Sequence, residues 1–347
     1  MANTWPKQRR IIGTKVSRVD GPAKSTGTAK YSYDINRKDM LHGRILRCPY
    51  AHAKLVSIDA AAAEKMPGVK AIHVIAATGK EFLFAGEEVL GLAAETEELA
   101  ADAIRAVKVK YDILPHHVDE HESVKLGDQA NTTGGTRGDV LVSNKDTKGN
   151  VEAAIKEADA VVEGIYGVPV IAHQCLEAHG LVAEWDAEGN LTVWASTQAV
   201  AGLGIPGQLA GALKVLPAKV KCITHYMGGG FGSKFNPGVE GVTAAELARK
   251  AGKPVKLMLD REEEVTTAGT RPSAFGTVKI AGTKDGKITA FQAHCYGTAG
   301  VNNSPGVRFN DLPYVYIDSI PNIHKENIVV RVNAAGQRAW RAPGHPQ

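Results

Sequence analysis

Residues Gly228–Lys234 read GGGFGSK, and they lie between a stretch with strand character, Lys219–Tyr226, and a helical one, Pro237–Ala251. Three successive glycines cost backbone entropy, so a folded chain keeps them where φ is positive or a side chain has no room. Ahead of a helix, such a loop presents backbone N–H groups and suits an anion such as a phosphate. Two familiar phosphate motifs fail on spacing. A P-loop ends in G-K-[ST], but Ser233 separates Gly232 from Lys234, and a dinucleotide fingerprint starting at Gly228 needs glycine where Ser233 stands. A formal G-x-G-x-x-G occurs at Gly202, Gly204 and Gly207. Pro206 interrupts it, and no acid between Gly207 and Glu240 could hold a ribose, so a loop around a bent helix is the better reading.

Outward from the loop, the helix stops at Gly252 and a strand follows at Pro254–Leu259. Upstream, strands at Gly180–Trp185 and Leu191–Ala195 flank a turn carrying Gly189. Thr277–Ala281 and Ile288–Tyr296 read as a hairpin about Asp285-Gly286. Asn150 is a plausible N-cap for a helix over VEAAIKEADA, with a strand at Ala160–Ile165. These elements make one unit, residues 151–347. A first unit, 16–119, has short strands at Leu41–Leu46, Lys54–Ile58, Val69–Ile75 and Glu87–Ala94, and helices at Ala60–Met66 and Thr96–Lys108. Residues 120–150, with NTTGGTRGD at Asn131–Asp139, are poor in apolar residues and read as a polar connector. The fold class expected is α/β and α+β, in two units.

Composition narrows the function. With 44% hydrophobic and 22% charged residues the chain is globular, and its net charge of +4 forms no basic block, so no nucleic-acid surface is indicated. No apolar run approaches the ~20 residues that span a bilayer, and MANTWPKQRRII contains no signal-length apolar stretch. The expectation is a cytoplasmic protein with no membrane contact. Cys48, Cys175, Cys222 and Cys295 form no C-x-x-C pair, so this chain is expected to carry neither an iron–sulfur cluster nor a structural zinc, and its cysteines to be buried hydrophobes.

Three further segments matter in combination: HQCLEAH at His173–His179, STQ at Ser196–Gln198, and QRAWRAPGHPQ at Gln337–Gln347. The six-residue spacing of the two histidines suits no helical metal pair, and core histidines are the expectation. Glu177, taken alone, is a paired or surface acid rather than a base. In order, these segments with the glycine loop resemble the molybdenum-binding subunit of the xanthine dehydrogenase/aldehyde oxidase family. The likeness extends upstream through Val16–Asp34, Leu41–Asp59, Met66–Ile72 and Val107–Pro115, which are similar to that subunit's opening a/b hammerhead domain. The resemblance therefore implies a hammerhead domain over 16–119 and a first, mixed-sheet molybdenum-cofactor-binding domain over 151–347, incomplete and completed by another chain.

The same resemblance implies a molybdopterin-type cofactor, in its plain or cytosine-dinucleotide form, that holds molybdenum without protein ligands. Gln198 would lie beside the metal, Gly229, Gly230, Phe231 and Gly232 would line the metal end of the cofactor, and Arg341 would wrap it from the other side. The implied reaction is hydroxylation of an aldehyde, purine or N-heteroaromatic C–H, with water as the oxygen source. Electrons would leave through an iron–sulfur subunit and an FAD subunit. Two departures restrict the substrate. Trp340-Arg341-Ala342-Pro343 lacks the cysteine that binds copper in the family's carbon monoxide dehydrogenases, and Phe235 stands where xanthine-specific members have a purine-binding glutamate. The family's G-x-G-E segment, which carries its general base, is absent from these residues. No catalytic residue is therefore assigned here, and the base is expected on a chain carrying the C-terminal half of the subunit. The competing expectation is a non-catalytic or truncated module for cofactor binding or assembly.

Overall fold

The computed structural model describes residues 9–126, 141–301 and 319–342. The Asn131–Asp139 motif and the tail from Pro343 lie outside the described residues. Up to residue 126 the chain forms strands β1 (Leu41–Arg47), β2 (Ala53–Asp59), β3 (Val69–Val74), β4 (Glu81–Phe82), β5 (Glu88–Ala94) and β6 (Lys108–Ile113). Its helices there are α1 (Gly21–Ser25), α2 (Ala61–Glu64), α3 (Glu97–Ala106) and α4 (Glu120–Leu126). Next come β7 (Leu141–Lys148), α5 (Val151–Glu157), β8 (Ala160–Val168), β9 (Ile171–Ala172), β10 (Gly180–Trp185) and β11 (Leu191–Ala195). The glycine loop follows α6 (Ile205–Leu213) and β12 (Val220–Ile223) and precedes α7 (Gly238–Ala251). The rest is β13 (Val255–Met258), α8 (Arg261–Thr266), β14 (Thr270–Arg271), β15 (Ala274–Gly282), β16 (Ile288–Thr298) and β17 (Asn322–Val330).

The largest sheet runs β12-β11-β10-β13-β1-β5-β3, so strands from residues 41–94 and 180–258 share one hydrogen-bonded layer. The join is the parallel pair β1/β13, with Leu41 opposite Val255. Its core is equally shared: Leu41, Ile45 and Ala93 pack with Leu181, Val193, Leu209 and Leu247. β5 is a continuous apolar run because both its faces are covered. Leu90, Leu92 and Ala94 face α3 and Ala63 of α2, while Ala93 joins the core beneath α7. Thr96 caps α3 by accepting from Leu99 N at 3.2 Å. Thr96→Ala is expected to remove about 1 kcal/mol of stability, measurable by urea denaturation.

A second sheet of five strands runs β7-β17-β16-β15-β8, with α5 packed on it through Val151 against Ala281 and Ala290. The small sheets β4-β2-β6 and β14-β9 complete the layers. The stretch read as a polar connector contains both α4 and β7. β7 escapes an apolar-periodicity reading because it is a polar edge strand. It is tied to β17 by charge, with Asp146 3.4 Å from Lys325 and Lys145 3.8 Å from Glu326. At Gly202–Gly207 the loop folds onto its own backbone. Gly204, Ile205 and Gly207 donate to the carbonyls of Ala201, Ala199 and Gly202, leaving those N–H groups unavailable to a ligand.

Candidate functional site

The glycine loop is where three other segments meet. A Cβ on Gly228 would sit 2.4 Å from the Cβ of Glu177, one on Gly230 2.5 Å from Gln198 Oε1, and one on Gly232 2.5 Å from the carbonyl oxygen of Ala339. The HQCLEAH, STQ and QRAWRAPGHPQ segments therefore each press against a different glycine, which is the physical reason for the glycine run. Between loop and helix α7 lies a short 3-10 turn, Ser233–Phe235, so the loop does not open α7 directly. Hydrogen bonds fix each approach. Gly232 N donates to Gln198 Oε1 at 2.7 Å, Arg341 N to the Phe231 carbonyl at 2.8 Å, and Gly228 N to Glu177 Oε2 at 2.7 Å. The Arg341 guanidinium lies 5.2 Å over the Phe231 ring.

All six residues singled out from the sequence, Gln198, Gly229, Gly230, Phe231, Gly232 and Arg341, line one open pocket of about 540 Å³. Met227, Phe235, Ala339 and Ala342 complete its wall. Among the described residues, the N–H groups of Gly229, Gly230 and Phe231, the Gln198 amide nitrogen and the Arg341 guanidinium have no protein acceptor. No carboxylate among the described residues lines the pocket. Its polar equipment is therefore donors plus one fixed cation, which fits an anionic, oxygen-rich group and not a cationic one. Phe231, Arg341 and Ala342 also adopt positive φ (+51°, +31° and +46°), a cluster of backbone strain on one wall of the kind that marks functional sites.

Behind the pocket lies a buried polar layer that sequence spacing only hinted at. Glu177 is 9% exposed, and its carboxylate accepts from Ser32 N (2.9 Å), Ser196 Oγ (2.8 Å) and Gly228 N (2.7 Å). Lys234 is 1% exposed and donates to Ser196 Oγ at 2.6 Å and the Glu177 carbonyl at 2.7 Å. Burial pushes the Lys234 ammonium below the usual lysine range, against the opposing pull of nearby Glu177 and Glu264. His173 and His179 are core histidines. The His173 ring bridges the carbonyls of Gly269 (3.1 Å) and Ala339 (2.8 Å). His179 links Glu264 (Nδ1 to Oε1, 2.8 Å) to Ser233 Oγ (Nε2, 2.8 Å), and Ser233 Oγ donates to the Gly230 carbonyl. Cys48, Cys175 and Cys295 are buried free thiols and Cys222 is half-buried.

Glu264 links this layer to pH. Burial raises its pKa, but the hydrogen bonds and charge of His179 outweigh that and hold the carboxyl below its ordinary value. Its stabilising contribution is thus present above the unfolded carboxyl pKa, about 4.3, and lost as pH falls through the lower folded value. Glu264→Gln is expected to melt below the wild type at pH 7, with the gap closing as the pH is lowered through ~4.

The profile of the molybdopterin cofactor-binding domain matches residues 136–347, more than half of the chain, and the a/b hammerhead domain of aldehyde oxidase and xanthine dehydrogenase matches residues 26–80. The chain belongs to the xanthine dehydrogenase family of molybdenum-binding subunits. Within that family it is 29% identical to the nicotinate dehydrogenase large molybdopterin subunit of Eubacterium barkeri, covering 98% of this chain and 84% of the relative. It is 30% identical to a probable xanthine dehydrogenase subunit of Bacillus subtilis, over 97% of this chain and 47% of that one. Among solved structures, the quinoline 2-oxidoreductase of Pseudomonas putida 86 superposes with a TM-score of 0.81 at 24% identity, over 97% of this chain and 46% of that chain. The chain thus spans most of one of these relatives and about half of the others. The α/β and α+β fold with a hammerhead domain agrees with the family. No helix among the described residues is long and apolar enough to cross a membrane.

Proposed function

We propose that the pocket between Gln198, Gly229–Gly232 and Arg341 holds the metal end of a molybdopterin cofactor, and that the chain is the cofactor-binding part of a multi-subunit hydroxylase. One observation carries the reading: a pocket lined by unused N–H donors and one guanidinium, with no carboxylate, in a chain of a molybdopterin-binding family. When bound, the cofactor supplies two-electron oxidation of a C–H group with water as the oxygen source. The rest falls to this chain's own residues. The N–H groups of Gly229, Gly230 and Phe231 offer donors without bulk. Gln198, oriented through its oxygen by Gly232 N, keeps its NH₂ free to hydrogen-bond an oxygen atom at the metal end. Arg341, held over Phe231, neutralises negative charge from the opposite wall. Phe235, 48% exposed on the pocket wall, presents a flat apolar face that suits an aldehyde or an N-heteroaromatic ring. The name of the Eubacterium barkeri relative makes nicotinate a natural first substrate to assay.

In this reading the units 16–119 and 151–347 are the hammerhead and first cofactor-binding domains. The general base comes from the family's remaining half-subunit, and iron–sulfur and FAD subunits carry the electrons away. Purification of the intact complex from its native source, with metal analysis and assays against nicotinate, xanthine and aldehydes using an artificial acceptor, tests this. Molybdenum in near-stoichiometric amount is expected, and its absence from an intact complex overturns the reading. Molybdenum without turnover on any of these classes would favour a non-catalytic binding module. Gln198→Ala removes a single hydrogen bond, about 1 kcal/mol of stability. It should leave the complex folded with lowered kcat.

A further inference from the structure

On the five-stranded sheet, away from the pocket, two histidines and a glutamate converge on one solvent-facing spot. Strands β16 and β17 pair in parallel with His294 opposite Glu326 and Gln292 opposite His324. The two-residue period of a strand puts His324 and Glu326 on one face, and the register brings His294 to the same face. The donor atoms of His294, His324 and Glu326 all lie within 4.8 Å of one another. None of the three lines the cofactor pocket.

We propose that His294, His324 and Glu326 form a binding site for a borderline divalent transition-metal cation such as Zn²⁺. Two imidazole nitrogens and one carboxylate oxygen are the ligand set of a three-residue zinc site with a fourth position open to water, and they are too nitrogen-rich for Mg²⁺ or Ca²⁺. One imidazole already sits on the carboxylate, and the other stacks beside it. His294 Nδ1 is 3.3 Å from Glu326 Oε2, and the two histidine rings are 5.3 Å apart between centroids. Small rotations of these side chains would bring the donors to the ~2.0–2.1 Å that zinc requires.

The neighbouring groups suit such a site. Thr147 Oγ1 on β7 sits 3.1 Å from His324 Nδ1, so it can accept the Nδ1–H and leave Nε2 as the free lone pair, the outer-shell arrangement common to metal-bound histidines. Gln292 Nε2 lies 3.2 Å from His294 Nε2. Turning that amide over presents its oxygen to an Nε2–H, which frees His294 Nδ1 for the metal beside Glu326. Lys145, 3.8 Å from Glu326, is the competing cation and would give up that contact on metal binding. A metal here would clamp β16 to β17.

The test is a Zn²⁺ titration of untagged, chelator-treated full-length protein by calorimetry, with Mg²⁺ as the control cation. One Zn²⁺ per chain at this site and no Mg²⁺ binding are expected, with Zn²⁺ affinity lost in His294→Ala and His324→Ala. Thr147→Val should weaken it about 10–100-fold without touching a ligand. Circular dichroism checks that these solvent-facing variants stay folded, and Glu326→Gln serves as a further ligand variant. Absence of saturable Zn²⁺ binding, or an affinity unchanged in the double histidine variant, overturns the proposal.

Discussion

Lys234→Met is expected to destabilise the protein by about 3–5 kcal/mol, the range for removing one partner from a buried charged network. Methionine nearly matches the lysine stem in volume, so the loss is chemical and not steric. The ammonium, 1% exposed, donates to Ser196 Oγ and the Glu177 carbonyl, and it is the nearby counter-charge to the buried carboxylates of Glu177 and Glu264. Without it, Ser196 and the carbonyl lose a buried donor and the Glu177 carboxylate loses its nearby counter-charge, while Glu264 keeps His179. Lys234→Gln keeps a donor for Ser196 and drops only the charge, so an intermediate loss is expected. Urea denaturation of both variants separates the two effects. A loss below about 1 kcal/mol for Lys234→Met would show that the carboxylates are neutral or compensated elsewhere.

That lysine also shows where sequence reading stops. GGGFGSK is legible because glycine runs have few physical explanations, and all six residues picked around it line one pocket. Lys234 closes the same motif, but nothing local tells which way its ammonium points. Only the tertiary structure shows it turned inward, onto Ser196 and Glu177, 38 and 57 residues away in sequence. Glu177 reads from sequence as a paired or surface acid; the structure buries it, and its partners Ser32, Ser196 and Gly228 come from three separated segments that no local pattern encodes. Apolar periodicity found β1, β5, β10, β11 and α7, whose faces are buried. It missed β7 and β17, where alternating charges pair across an edge, and it could not show that β1 and β13 join two sequence units into one sheet. Pairing across more than two hundred residues leaves no trace in a local window.

Gly232→Ala is expected to reduce the molybdenum content of the purified complex to near background. Two independent penalties act at this position. Its φ of +114° lies in the region that favours glycine, at a cost of order 1–3 kcal/mol for alanine. The new Cβ would also lie 2.5 Å from the carbonyl oxygen and 2.9 Å from the carbonyl carbon of Ala339. Because the obstacle is backbone, no rotamer change relieves it, and the 339–342 segment must withdraw from the loop. Withdrawal breaks the Arg341 N–H bond to the Phe231 carbonyl and the His173 contact with Ala339, so Arg341 leaves its place over Phe231. The pocket then loses one whole wall and its guanidinium while the main sheet, with a separate core, stays intact. Gly211 in α6 supplies the control, since a Cβ there meets nothing within 4 Å and alanine gains up to ~1 kcal/mol of helix propensity. Metal analysis beside circular dichroism reads both variants. Full molybdenum in a folded Gly232→Ala complex would mean that the cofactor does not depend on the contact between the glycine loop and the arginine segment.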